Sequence, residues 1–281
     1  MSEPKTIWEK MQSVPSVYLQ AILLLTIVVP LLTMVSFPSA PTTPTKRYYD
    51  FVMSLPEGSV VIFDSQMGGF NYGDCAPGCA ATMRLVLSAP NKLKLIVLFE
   101  SSDGPMFWDI MKKDFGVGLP PGKKYGDDYV ELLWYTGGER GVAAFCSNFR
   151  SIFPEDRYGT PADKLPAMKN VLSAKDFGVV IASTSLTSLV DDYMRQAYAR
   201  YGTPLLFDPA GMTVMSVIPY YPFAVKGYLL GLSGGAQLEA MLGSTSLGTK
   251  MGNAFSMMSL YSFVLAIIGI VTGYMVKRGR R

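Results

Sequence analysis

Five short apolar runs in this chain each stop at residues that could do chemistry. Ser59–Phe63 ends in Asp64 and Ser65, and Leu93–Phe99 ends in Glu100, Ser101 and Asp103. Val130–Tyr135 leads to Glu139 and Arg140, Gly178–Ala182 to Ser183 and Thr184, and Leu205–Phe207 to Asp208. Carboxylates and hydroxyls gathered at strand ends suit an oxygen-ligand site for Mg²⁺ or Ca²⁺, or a polar cleft for a small ligand. The same residue types also cap the helices that follow strands. Asp64, Ser65, Glu100, Asp103, Glu139, Ser183 and Asp208 are therefore the candidate ligand-binding residues, with helix capping as the competing explanation.

The chain has no histidine. That removes Ser-His-Asp and Cys-His nucleophile systems, histidine metal sites and imidazole proton shuttles. Gly-rich turns follow two runs, Met67-Gly68-Gly69 and Thr136-Gly137-Gly138, but neither reproduces a dinucleotide fingerprint or a P-loop. No catalytic residue, metal site or cofactor is assigned. Ser233-Gly234-Gly235-Ala236, with Lys226 upstream, resembles over four residues the Ser-Gly-Gly turn of membrane-anchored signal-peptide-peptidase-type serine proteases. That resemblance implies a Ser-Lys hydrolase, in which a desolvated lysine amine would activate Ser233.

The elements that must position these residues alternate. Helix-like segments fall at about 75–88, 104–114, 139–152 and 185–200, between the apolar runs. Alternation of this kind predicts an α/β fold: a parallel, doubly wound, Rossmann-like sheet of about five strands covered on both faces. A short helix is expected over Tyr48–Leu55, and a helix over Lys226–Leu242 that carries Gly231, Gly234 and Gly235. Each interior glycine costs about 1 kcal/mol relative to alanine, so three together point to close backbone packing.

The ends of the chain read as membrane segments. Residues 254–276 are uncharged from Phe255 on and are followed by Lys277, Arg278, Arg280 and Arg281, which predicts a span with a cytoplasmic tail. Residues 17–37 form a second apolar run, with Pro30 inside it, and are read as an uncleaved first span behind a 1–16 leader. Residues 38–47 are a Pro/Ser/Thr linker, 48–211 an extracytoplasmic α/β domain, 212–250 a Gly/Tyr-rich membrane-proximal region, and both termini are placed in the cytoplasm. Gly269 and Gly273 form a GxxxG pair suited to helix association in lipid.

Net charge is +3, but without the leader and the tail 19 basic residues face 20 acidic ones. The domain is close to neutral and offers no footprint for nucleic acid. Cys75, Cys79 and Cys146 allow one disulfide at most, with Cys75 and Cys79 flanking an expected Pro77-Gly78 turn. The combined expectation is a membrane-anchored, non-catalytic subunit of an oligomeric membrane complex, with lipids and either copies of itself or other membrane subunits as partners. The alternatives are a small-ligand or divalent-cation module and the Ser-Lys hydrolase.

Overall fold

The computed structural model describes residues 6–33 and 40–279. Two compact units are present, Pro38–Thr249 and a terminal unit of Met1–Phe37 with Lys250–Arg281.

The larger unit is built on one six-stranded parallel sheet: β1 (Val60–Ser65), β2 (Lys94–Phe99), β3 (Tyr129–Trp134), β4 (Val179–Thr184), β5 (Leu205–Pro209) and β6 (Val225–Tyr228). Their spatial order is β3-β2-β1-β4-β5-β6, so the winding reverses between β1 and β4. Every neighbouring pair is parallel, which places all six carboxyl ends on one rim. Side chains alternate between faces along each strand. Ile62, Ile96, Leu98, Val130, Ala182 and Phe207 enter one core with α6 (Glu139–Ser147), α7 (Phe149–Ile152) and α8 (Thr187–Tyr193). On the opposite face Phe63 and Phe99 meet the buried Trp108 of α5 (Gly104–Asp114), with ring centroids 5.4 and 6.0 Å away. α3 (Thr43–Ser54), α4 (Tyr72–Ser88) and α11 (Gly231–Met241) complete that layer. α8 continues through a π-helical turn (Met194–Tyr198) into α9 (Ala199–Tyr201), and α10 (Val214–Val217) follows β5.

The five expected strands are all present, and the sixth was hidden in the segment read as the start of a helix. Val225–Tyr228 contains Lys226 and Gly227, which weaken a strand pattern. Gly227 is required there, because a Cβ would fall 2.3 Å from the Tyr48 backbone nitrogen of α3. α3 also begins five residues ahead of the expected start, with Pro44 in its first turn, where a missing N–H costs nothing. Pro77-Gly78 is no turn: it lies inside α4, and all three cysteines are free and buried.

α12 (Leu247–Gly279), which starts in the larger unit and belongs to the terminal unit from Lys250 on, is 33 residues long and apolar enough to cross a membrane. The second expected span is not matched by a helix of that size. α2 (Ser16–Leu32) has 17 residues, or about 25 Å at 1.5 Å per residue, against a hydrocarbon core of roughly 30 Å. Pro30 occupies its last turn and Thr33 is extended. Residues 34–37 of the expected span, like Arg280 and Arg281 of the tail, lie outside the described residues. A short α1 (Ile7–Gln12) precedes α2 and is closed by a Thr6–Glu9 capping box.

α4 and α11 approach closely because Gly235 lets them. A Cβ at Gly235 would stand 2.6 Å from the Pro77 carbonyl carbon. Gly235→Ala should therefore destabilise the protein by roughly 1–3 kcal/mol in denaturant unfolding, the usual cost of overpacking. Gly73→Ala, in the same helix α4 with open space around it, should be neutral or slightly stabilising.

Candidate functional site

In parallel sheets of this kind, ligands enter the crevice at the carboxyl rim where the winding reverses. Here that crevice lies between β1 and β4, and it is tied across by two amide side chains. Gln66, directly after β1, accepts through Oε1 from Thr184 Oγ1 at 3.0 Å and from the Ser185 backbone N–H at 2.9 Å. Asn71, just ahead of α4, donates through Nδ2 to the Gln66 carbonyl and to Ser185 Oγ, both at 3.0 Å. Its Oδ1 accepts from Gly68 N–H at 2.8 Å, which folds the Gly68-Gly69 turn inward. Gln66 and Asn71 are themselves buried.

The strand-end carboxylates do not converge. Asp64 points to the α6–α8 side, where the Tyr135 and Tyr193 hydroxyls donate to its Oδ2 at 2.6 and 2.7 Å. Ser65, Ser183 and Asp208 are register partners across β1, β4 and β5 and face α4 instead. Asp208 Oδ2 accepts from Ser183 Oγ at 2.8 Å. Both carboxyls are fully buried, and each keeps one oxygen, Oδ1, without a partner. Burial pushes the pKa of each up to about 7; the tyrosine and serine hydroxyls pull the other way without cancelling it. Gly78 makes room for Asp208, since a Cβ there would overlap its carboxyl oxygens. Burial, and then the Asp208 charge, raise the Cys75 and Cys79 thiols, so these are not poised nucleophiles.

The remaining candidates stand apart. Glu100 is partly exposed, and burial followed by the nearby Asp192 raises its pKa. Asp103 is exposed at the start of α5. Glu139 accepts from Arg195 Nε at 2.8 Å and Gln196 Nε2 at 2.7 Å, which holds its pKa down. Helix capping does not explain the set either, because α4, α5, α6 and α8 have no side-chain N-cap hydrogen bond. Among the described residues, no group of three or more Asp, Glu or Cys side chains is placed to hold a metal ion. Lys226 Nζ donates to the Phe223 carbonyl at 2.6 Å, and no hydrogen bond joins it to Ser233. An open cleft of about 350 Å³ lies elsewhere, beside the edge strand β3, between Trp134, Thr136, Arg140 and Ile152.

Sequence reasoning missed four buried acids, Glu131, Asp156, Asp192 and Glu239. Glu131, inside β3, pairs with Lys112 Nζ at 2.5 Å and Arg157 Nη1 at 2.6 Å. Its signal was a charge inside an otherwise apolar strand, which demands partners. Glu239 of α11 accepts from Arg84 Nη1 at 2.9 Å and from the Thr249 backbone N–H at 2.8 Å. Gln66, Asn71, Tyr135 and Tyr193 were missed as well, and nothing local in the sequence marks them.

No protein-family model matches the chain, and neither a curated protein nor a solved structure matches it.

A raised carboxyl pKa means that the folded protein holds a proton which the unfolded chain, with an aspartate pKa near 3.9, has lost by neutral pH. The contribution is then fully present below about pH 4 and is lost as pH rises towards about 7. Asp208→Asn, which keeps the shape and removes the titration, should raise stability at pH 8 by a few kcal/mol relative to the wild type and change little at pH 4. Paired denaturation curves of the full chain in detergent at the two pH values measure the difference.

Proposed function

We infer that the chain is a membrane-anchored, non-catalytic subunit of an oligomeric membrane complex, with an extracytoplasmic α/β domain that makes protein–protein contacts. The observation that carries this reading is the β1–β4 crevice, where a ligand of this fold class would sit and where Gln66 and Asn71 bind the chain's own loops instead. The buried carboxyls support it, since Asp64 and Asp208 lie on opposite faces of the sheet and cannot act on one substrate.

The anchor is α12, with Lys277 and Arg278 at its end as the cytoplasmic flank. The α1–α2 segment runs antiparallel beside it: Tyr261 OH donates to the Leu19 carbonyl of α2 at 2.7 Å, and Gln12 Nε2 of α1 lies 3.7 Å from where a Cβ of Gly273 would be. An antiparallel pair brings both termini to one side, which favours a cytoplasmic placement for both. An impermeant thiol reagent applied to intact cells should label an engineered cysteine at Thr43, which is exposed, and not one appended after Arg281. The opposite pattern rejects this topology.

Association through lipid-exposed α12 is the second part. The space around Gly231, Gly234 and Gly235 is taken by Gly211, Leu229 and Pro77 of the same chain, whereas Gly269 has nothing within 4 Å. A small residue on an open membrane helix lets a second helix approach closely. Gly269→Leu should shift the native mass of the detergent-solubilised protein to a smaller species while the sheet stays folded. An unchanged mass would sink α12-mediated assembly.

A further inference from the structure

The carboxyl rim of the sheet leaves large apolar side chains in solvent. Phe70 on the β1–α4 loop is 76% exposed, Met212 after β5 is 80% exposed, and Met215 of α10 is 74% exposed. Leu186, between β4 and α8, is open as well. Their loops adjoin. Asn71 bonds Ser185 across the β1 and β4 loops, and Ala210 N–H donates to the Thr184 carbonyl at 2.9 Å across the β4 and β5 loops. Single exposed apolar residues need no explanation, but a row along one edge marks an interaction surface. Methionine adds a side chain that adapts to its partner.

The same rim carries carboxylates without partners. Asp74 opens α4, Glu100 follows β2, and Asp103 lies beside Gly68, where a Cβ would come 3.0 Å from its Oδ2. None of the three makes an ion pair among the described residues, whereas Arg195 is already held by Glu139 and Asp192. Apolar side chains bordered by unpaired negative charge complement one kind of partner. An anionic lipid surface would be repelled by the same carboxylates.

Building on the assembly reading above, we propose that this rim docks an amphipathic, basic segment of a partner protein. The partner's apolar face covers Phe70, Leu186, Met212 and Met215, and its Lys or Arg side chains meet Asp74, Glu100 and Asp103. An apolar helix face is covered and charge supports the contact, so affinity falls as salt rises.

The test uses the full chain in nanodiscs of zwitterionic lipid, with ¹³C-methyl methionine as the reporter and a synthetic Lys/Leu amphipathic helix as the probe. A Glu/Leu helix of the same length is the control. The Lys/Leu helix should shift the Met212 and Met215 methyl signals and leave those of the buried Met83 and Met111 in place. Phe70→Ser should weaken the binding about tenfold, the scale set by 1.4 kcal/mol, and should leave the Met83 signal, and hence the fold, unchanged. Asp103→Asn should flatten the salt dependence. Equal shifts from both helices, no shift at all, or a peptide taken up by the bilayer with still methyl signals would each overturn the proposal. Shifts that grow with protein concentration alone would assign the rim to a second copy. That outcome rejects the basic partner but leaves the assembly reading standing, whereas an assembly failure would appear separately in the native mass of Gly269→Leu.

Discussion

Gly235, the Pro77-Gly78 step and Asp208 are stacked with no room for a Cβ at either glycine. A Cβ at Gly235 would press on the Pro77 carbonyl carbon, and one at Gly78 would overlap the Asp208 carboxyl. Pro77 lies inside α4, where proline removes a helix hydrogen bond at a cost of about 3 kcal/mol. Tertiary packing must return that loss, and α11 lying directly on the same step supplies the contact. The consequence reaches β5. Because α4 sits so low on the sheet, Asp208 is sealed from water with a single hydroxyl partner, and its proton is retained to about pH 7. The thiols of Cys75 and Cys79, one turn apart on α4, are buried with it and lose their acidity for the same reason.

The fold was legible from the sequence wherever one element carried its own signal. Runs such as LKLIVLF are apolar on both faces, as a strand covered by two helical layers requires, and each run was found at its place in the sheet. β6 was not legible because its identity depends on α3. Lys226 and Gly227 read as helix or loop until the Tyr48 backbone is seen pressed against Gly227. The limit of α2 was equally hidden: composition extends the apolar run to Phe37, and only the extended backbone at Thr33 ends the helix at Leu32.

The candidate site was legible as a set of positions but not as an arrangement. Asp64, Glu100, Ser183 and Asp208 do stand at the carboxyl ends of parallel strands. Strand parity then separates Asp64 from Asp208, since Ser65, and not Asp64, shares the register of Ser183 and Asp208. A shift of one residue in a period of two moves a side chain to the other face. The partners Tyr135 and Tyr193 come 71 and 129 residues after Asp64, so no local pattern announces them.

Buried charge shows the same dependence on distant partners, and it explains how α12 begins. A carboxyl withdrawn from water either holds its proton, as burial favours at Asp64 and Asp208, or finds donors for its charged oxygens. Glu239 finds them in Arg84 of α4 and in the Thr249 N–H and hydroxyl, at 2.9, 2.8 and 2.7 Å. The backbone N–H groups of a first helical turn have no partner within their own helix. Glu239 therefore satisfies a donor that α12 would otherwise leave bare, and its negative charge suits the positive end of the helix dipole. Arg84 in turn bonds the Phe115 carbonyl at the end of α5. One carboxylate thus ties α4, α11 and the first turn of α12 together, with α5 joined through Arg84. Removing it would take a partner from the part-buried Arg84 guanidinium and leave the Thr249 N–H at the helix start bare.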